Sequence, residues 1–110
     1  MMNIIVKIPS YAQQMCELGN RQINTVSIDV PAYSRSGTLF IWENNYKLSV
    51  DVDMTTTIVI RADKGGLLSL ARHLLTLAQD DHPIGSHIHY DAGTSLEDDS
   101  YPLIIDKISE

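Results

Sequence analysis

The sequence predicts an α+β fold: a mostly antiparallel sheet with one long amphipathic helix, over about residues 63–79, packed on one face. Three observations carry that expectation. Apolar and polar residues alternate along Tyr46–Met54, β-branched residues crowd Thr55–Ala62, and leucines recur at helical spacing from Leu67 to Ala78. Strands, then a helix, then two more strands favour hairpins and antiparallel pairing.

The elements follow in order. Asn3–Ile8 reads as a strand ended by Pro9. Ser10–Gly19 reads either as a short helix, capped by Ser10 and stopped by Gly19, or as a loop. Arg21–Val30 is a strand with Val26, Ile28 and Val30 on one face, and Tyr33–Gly37 is turn-like. Thr38–Glu43 holds Leu39, Phe40, Ile41 and Trp42, an apolar run suited to a strand buried on both faces. Glu43-Asn44-Asn45 is a turn, because Asn tolerates positive φ. Tyr46–Met54 then points Tyr46, Leu48, Val50, Val52 and Met54 one way, to pack, and Lys47, Ser49, Asp51 and Asp53 the other, to water.

Asp63 suits the N-cap of the helix. Leu67, Leu70, Ala71, Leu74, Leu77 and Ala78 form its expected core stripe, with Leu70, Leu74 and Leu77 as the main contact. Ser69, Arg72, His73, Thr76 and Gln79 fall on the face expected to meet water. A polar turn with Pro83 leads to a short strand, a turn over Ala92–Ser100 and a closing strand at Tyr101–Ile108. In that strand Ile104, Asp106 and Ile108 share a face.

Composition narrows the function. A chain of 110 residues is expected to form a single domain, residues 1–110, with one core. Its 44% hydrophobic content argues for a folded chain. A net charge of -6 argues against nucleic acid, since no basic excess exists to neutralise phosphates, and suits a basic protein partner. The single cysteine, Cys16, allows no disulfide within the chain and reads as a small hydrophobe. No apolar run is long enough for a signal sequence or a membrane span, so the expected location is the cytoplasm.

The richest stretch is Gly85-Ser86-His87-Ile88-His89-Tyr90-Asp91. Strand alternation puts His87, His89 and Asp91 on one face and Ile88 and Tyr90 on the other. One reading is a metal site on His87, His89 and Asp91, as in a small metal-binding protein or metal-dependent hydrolase. Three ligands at this spacing span about 13 Å along a strand, so Asp91 would need a bend to share an ion with the histidines. The His that follows the Asp in metallo-β-lactamases is here Ala92, and the downstream Glu and His of a cupin are missing. The favoured reading is a wet sheet face without cofactor or metal, on which Asp51 and Asp53 lie beside the histidines as cross-strand partners.

Weaker signals read as structure. Lys64-Gly65-Gly66 permits a close start to the helix rather than a phosphate loop. Ser86 lacks the surroundings of a hydrolase nucleophile. Glu97-Asp98-Asp99 is a solvated acidic turn.

Gly65-Gly66-Leu67-Leu68 with Leu70-Ala71 and Leu74, then Gly85–Asp91, then Leu96-Glu97-Asp98-Asp99-Ser100, then Leu103-Ile104-Ile105, form an ordered set. That set resembles a bacterial immunity protein family of polymorphic toxin systems, immunity protein 32, over roughly residues 60–108. The resemblance implies an inhibitor that binds a cognate protein toxin and neutralises it by occlusion, without catalysis of its own. The candidate partner-binding residues are then His87, His89, Asp91, Asp51, Asp53, Glu97, Asp98 and Asp99.

Overall fold

The computed structural model describes residues 2–9 and 23–109; the helix-or-loop segment at Ser10–Gly19 and Cys16 lie outside them. The fold is α+β. Strand β1 (Met2–Pro9) pairs antiparallel with β2 (Ile23–Val30), β3 (Leu48–Val52) with β4 (Ile58–Ala62), and β5 (His87–Tyr90) with β6 (Leu103–Asp106). Helix α1 (Lys64–Leu77) follows β4. Among the described residues, the strands thus form three two-stranded antiparallel sheets.

Irregular chain takes the place of further strands. The outer edge of β3 is met by the segment after β5: Glu97 N donates to Leu48 O at 2.9 Å and Tyr101 N to Val50 O at 2.8 Å. Ser100 Oγ accepts from Val50 N between them. The turn at Ala92–Ser100 is therefore built into the fold, and Leu96 plugs the core. That core consists of Leu48, Val50, Leu77, Ile88, Tyr90 and Leu96, with Phe40, Trp42, Tyr46, Ala62, Leu70, Leu103 and Ile105 packed around them.

Helix α1 starts where expected and is shorter than expected, with 14 residues. Asp63 caps it: its Oδ1 accepts from Gly66 N at 2.8 Å and from Lys47 N at 3.0 Å. These N–H groups hold the carboxyl below its ordinary value, because they stabilise its charged form. A side chain at Gly66 would collide with the Lys47 carbonyl and the Ala62 Cβ, so glycine lets the helix start flush against the β3–β4 hairpin. Just past the helix end, Lys107 Nζ donates to Gln79 O at 2.7 Å and His82 O at 2.8 Å, placing a cation at the negative end of the helix.

The face that α1 buries differs from the expected one. Gly66, Ser69, His73, Thr76 and Leu77 are buried, while Leu67 and Leu74 are 56% and 44% exposed. Of the predicted contact, Leu70 and Leu77 join the core and Leu74 does not. The cause is the segment expected to be a strand at Thr38–Glu43, which is irregular instead. Chain without sheet partners must still satisfy its backbone groups, and the polar stripe of α1 supplies them. Gln79 Nε2 donates to Pro31 O at 2.7 Å, and Gln79 Oε1 accepts from Tyr33 N at 3.0 Å. His73 Nε2 meets Ile41 O at 2.9 Å, and Ser69 Oγ accepts from Glu43 N at 2.8 Å. Arg72 Nε donates to Asp29 O at 2.9 Å, while its Nη1 lies 3.1 Å from Glu43 Oε2. The segment from residue 31 to 43 is thereby strapped antiparallel along the helix.

His73 is the centre of this strap. Its ring packs edge-on against Phe40 and Trp42, with centroids 5.6 and 4.3 Å away. A carbonyl can only accept, so Nε2 carries the proton that Ile41 O receives. Nδ1 then accepts from the Tyr90 hydroxyl, 2.9 Å away. Both groups are fully buried. Burial pushes the His73 pKa down, with Arg72 adding to the effect, and pushes the Tyr90 phenol up. His82, buried beside Tyr33 and Phe40, is shifted down too, by burial and by Lys107.

Two outcomes follow from this packing. Leu77→Ala should cost roughly 2–5 kcal/mol in urea unfolding and Leu74→Ala about 1 kcal/mol or less, because only the first empties a closed site. Equal losses would mean that the helix is turned as its leucines alone suggest. The second outcome concerns pH. His73 and His82 titrate at 6.5 when unfolded and lower when folded, so below that pH the unfolded chain binds more protons. Their stabilisation is complete above it and drains away as pH falls toward the folded values. The urea midpoint should therefore drop between about pH 7.5 and about pH 5.5. His73→Gln keeps an N–H for Ile41 and an oxygen for Tyr90, so its drop should be smaller; an equal drop would remove His73 as a source.

Candidate functional site

The β5–β6 hairpin gives the predicted histidines a common face. Along β5, Ile88 and Tyr90 are buried and His87 and His89 are exposed, as the period-two pattern requires. The register pairs His87 with Asp106 and His89 with Ile104, so all four side chains share the outer face. His87 Nδ1 lies 3.7 Å from Asp106 Oδ1 and 3.3 Å from Gly85 O. The two imidazoles meet edge-to-face with centroids 4.7 Å apart.

Between them, Ile104 is 54% exposed. The four residues line a shallow recess of about 240 Å³, smaller than the roughly 300 Å³ at which small-molecule pockets begin. What the face offers is an exposed aliphatic centre rimmed by imidazoles and a carboxylate. That is the chemistry of a contact surface rather than of an enclosed reaction site.

The remaining candidates lie elsewhere. The strand facing His87 and His89 is β6, so the expected row of Asp51 and Asp53 is not their cross-strand partner. Asp51 pairs across its own hairpin with Arg61, Oδ2 to Nε at 3.2 Å. Asp53 builds the β3–β4 turn: its Oδ1 accepts from Thr55 N and Thr57 N at 2.9 Å each and from the Thr55 hydroxyl. These bonds, led by the Thr55 hydroxyl, hold its carboxyl below the ordinary value.

Asp91 follows β5 and opens the next loop; its N–H donates to Ser95 Oγ, and its carbonyl accepts from Thr94 N. Glu97, Asp98 and Asp99 stand exposed on that loop. Burial, with Glu97 adding to it, raises the Tyr46 phenol, whose hydroxyl donates to Ser95 O at 2.9 Å. Among the described residues, no group of three or more His, Cys, Asp or Glu side chains is placed to hold a metal ion.

The sequence reading missed Ile104 and Asp106 as partners of the histidines. Their parity was visible, since they alternate with the core-facing Leu103 and Ile105. The register was not, because it depends on the loop between the strands.

Among the described residues, no helix is long and apolar enough to cross a membrane. Neither the curated proteins nor the solved structures contain a match to this chain. A family model does match, over residues 57–108. That stretch runs from the start of β4 through α1 and β5 to just past the end of β6, and so includes the whole histidine face. The ordered set of helix, histidine strand, acidic loop and closing strand falls within that stretch, and residues 57–108 of this chain match the family model of immunity protein 32.

Proposed function

We propose that this chain is an immunity protein that binds a cognate protein toxin in the bacterial cytoplasm and neutralises it by occlusion, without catalysis of its own. The supporting observation is the family match, which falls on the segment that builds α1 and both strands of the β5–β6 face. We take that face as the docking surface, with Ile104 as the apolar centre and His87, His89 and Asp106 as its polar rim. The exposed carboxylates of Asp91, Glu97, Asp98 and Asp99 give the adjoining loop a negative field. With the net charge of -6, that field favours a basic toxin and speeds its approach. Asp51 and Asp53 serve their own hairpin first, through Arg61 and the Thr55–Thr57 turn.

Co-expression with a candidate cognate toxin tests this reading. Ile104→Glu combined with His89→Ala should weaken binding by at least about tenfold and abolish protection, while the urea midpoint stays unchanged. Asp98→Lys with Asp99→Lys should slow association and flatten its salt dependence. Full protection by the Ile104/His89 variant would remove this face as the docking surface. Hydrolytic turnover by the wild type that vanishes in His87→Gln/His89→Gln would overturn the reading of a pure binder.

A further inference from the structure

The outer face of α1 carries Lys64, Leu67, Ala71, Leu74 and Ala78 at intervals of three, four, three and four residues. That is the spacing of a coiled-coil seam. The strap along the opposite face turns this seam outward: Leu67 and Leu74 are about half exposed, and Lys64 and Ala78 are exposed. We propose that this seam binds a second copy of the same chain, helix against antiparallel helix, in a weak symmetric dimer.

Three features favour a second copy. Leu67 and Leu74 flank the half-buried Ala71, so a two-fold axis at Ala71 sets Leu67 of each copy beside Leu74 of the other. The Ala71 pair at the axis lets the backbones approach closely. The ends are also complementary in charge. Lys64 stands at the start of the helix, and the exposed Asp80 and Asp81 lie just past its end. In the antiparallel arrangement each Lys64 meets the Asp80–Asp81 pair of the other copy, whereas a parallel pair would stack like charges. The helix is about 21 Å long at 1.5 Å per residue, so the seam buries less than the roughly 800 Å² per partner of a tight interface. The dimer is therefore concentration-dependent, and it leaves the β5–β6 face to the toxin.

Sedimentation equilibrium of the full chain, from about 1 µM to about 500 µM, reads this directly. The weight-average mass should rise toward twice the monomer. Leu67→Glu with Leu74→Glu should hold it at the monomer, with an unchanged urea midpoint and intact toxin protection. Lys64→Glu should weaken association, and adding Asp80→Lys and Asp81→Lys should restore it. A second measurement does not depend on those variants. In a Cys16→Ser background, Ala71→Cys should cross-link to itself on mild oxidation, since the two Cα atoms face each other at the axis, while Ala78→Cys should not. A monomer at every concentration would overturn the proposal. So would a dimer that survives the Leu67/Leu74 change, or equal cross-linking at both positions, which would signal a parallel pair. Loss of toxin protection in a Leu67→Glu/Leu74→Glu chain that was monomeric from the start would instead make the seam a toxin contact, and the self-association reading would fall.

Discussion

The structure depends on one ladder of hydrogen bonds, between polar side chains on α1 and just past its end and the backbone from the end of β2 to residue 43. Ser69, Arg72 and His73 on α1 and Gln79 just past its end meet Glu43, Asp29, Ile41, Pro31 and Tyr33. A chain segment that is packed yet unpaired in a sheet leaves donors and acceptors that cost free energy if left unmet. Here a helix meets them in place of a neighbouring strand. The ladder therefore does the work of a sheet edge.

That solution has consequences on both sides of α1. Inside, it places an imidazole where a leucine would be expected. His73 is tolerated there because its Nε2 and Nδ1 both have partners, in Ile41 O and Tyr90 Oη, and because it stays neutral. The same bonds set its tautomer and seat Tyr90 beneath the histidine strand. Since Tyr90 and Ile88 anchor β5 from within, the outer face of that strand is free to carry His87 and His89. The ladder and the candidate docking face are thus two sides of one layer. Outside, the rotation that buries Ser69, His73 and Thr76 exposes Leu67 and Leu74. Apolar surface of that pattern on a small acidic chain is where a partner helix would pack.

The β5–β6 face and the helix seam are proposed for two different kinds of contact. The first is mixed in character, with an exposed isoleucine among imidazoles and carboxylates, beside an acidic loop whose backbone is locked to β3 through Glu97, Ser100 and Tyr101. Locking the loop backbone keeps its carboxylates in place without using them, so they remain available for a charged partner. The second contact is aliphatic and periodic, suited to a copy of itself.

By itself the sequence determined the parts governed by local rules. Period-two alternation placed His87 and His89 outside and Ile88 and Tyr90 inside. The cap at Asp63, the turn at Asn45 with its positive φ, and the antiparallel hairpins follow from residue type and spacing. The family pattern over the second half was legible too, as an ordered set of motifs. The tertiary structure alone decided which face of α1 is buried, because hydrophobic period records the apolar stripe but not the hydrogen bonds of a distant segment. It alone showed that Thr38–Glu43 is a strap rather than a strand, since an apolar run does not reveal where its backbone bonds go. It alone brought Asp106 and Ile104, instead of Asp51 and Asp53, beside the histidines. Register across a twelve-residue loop is set by the packing of Leu96 and the pairing of the loop with β3, which no local signal encodes.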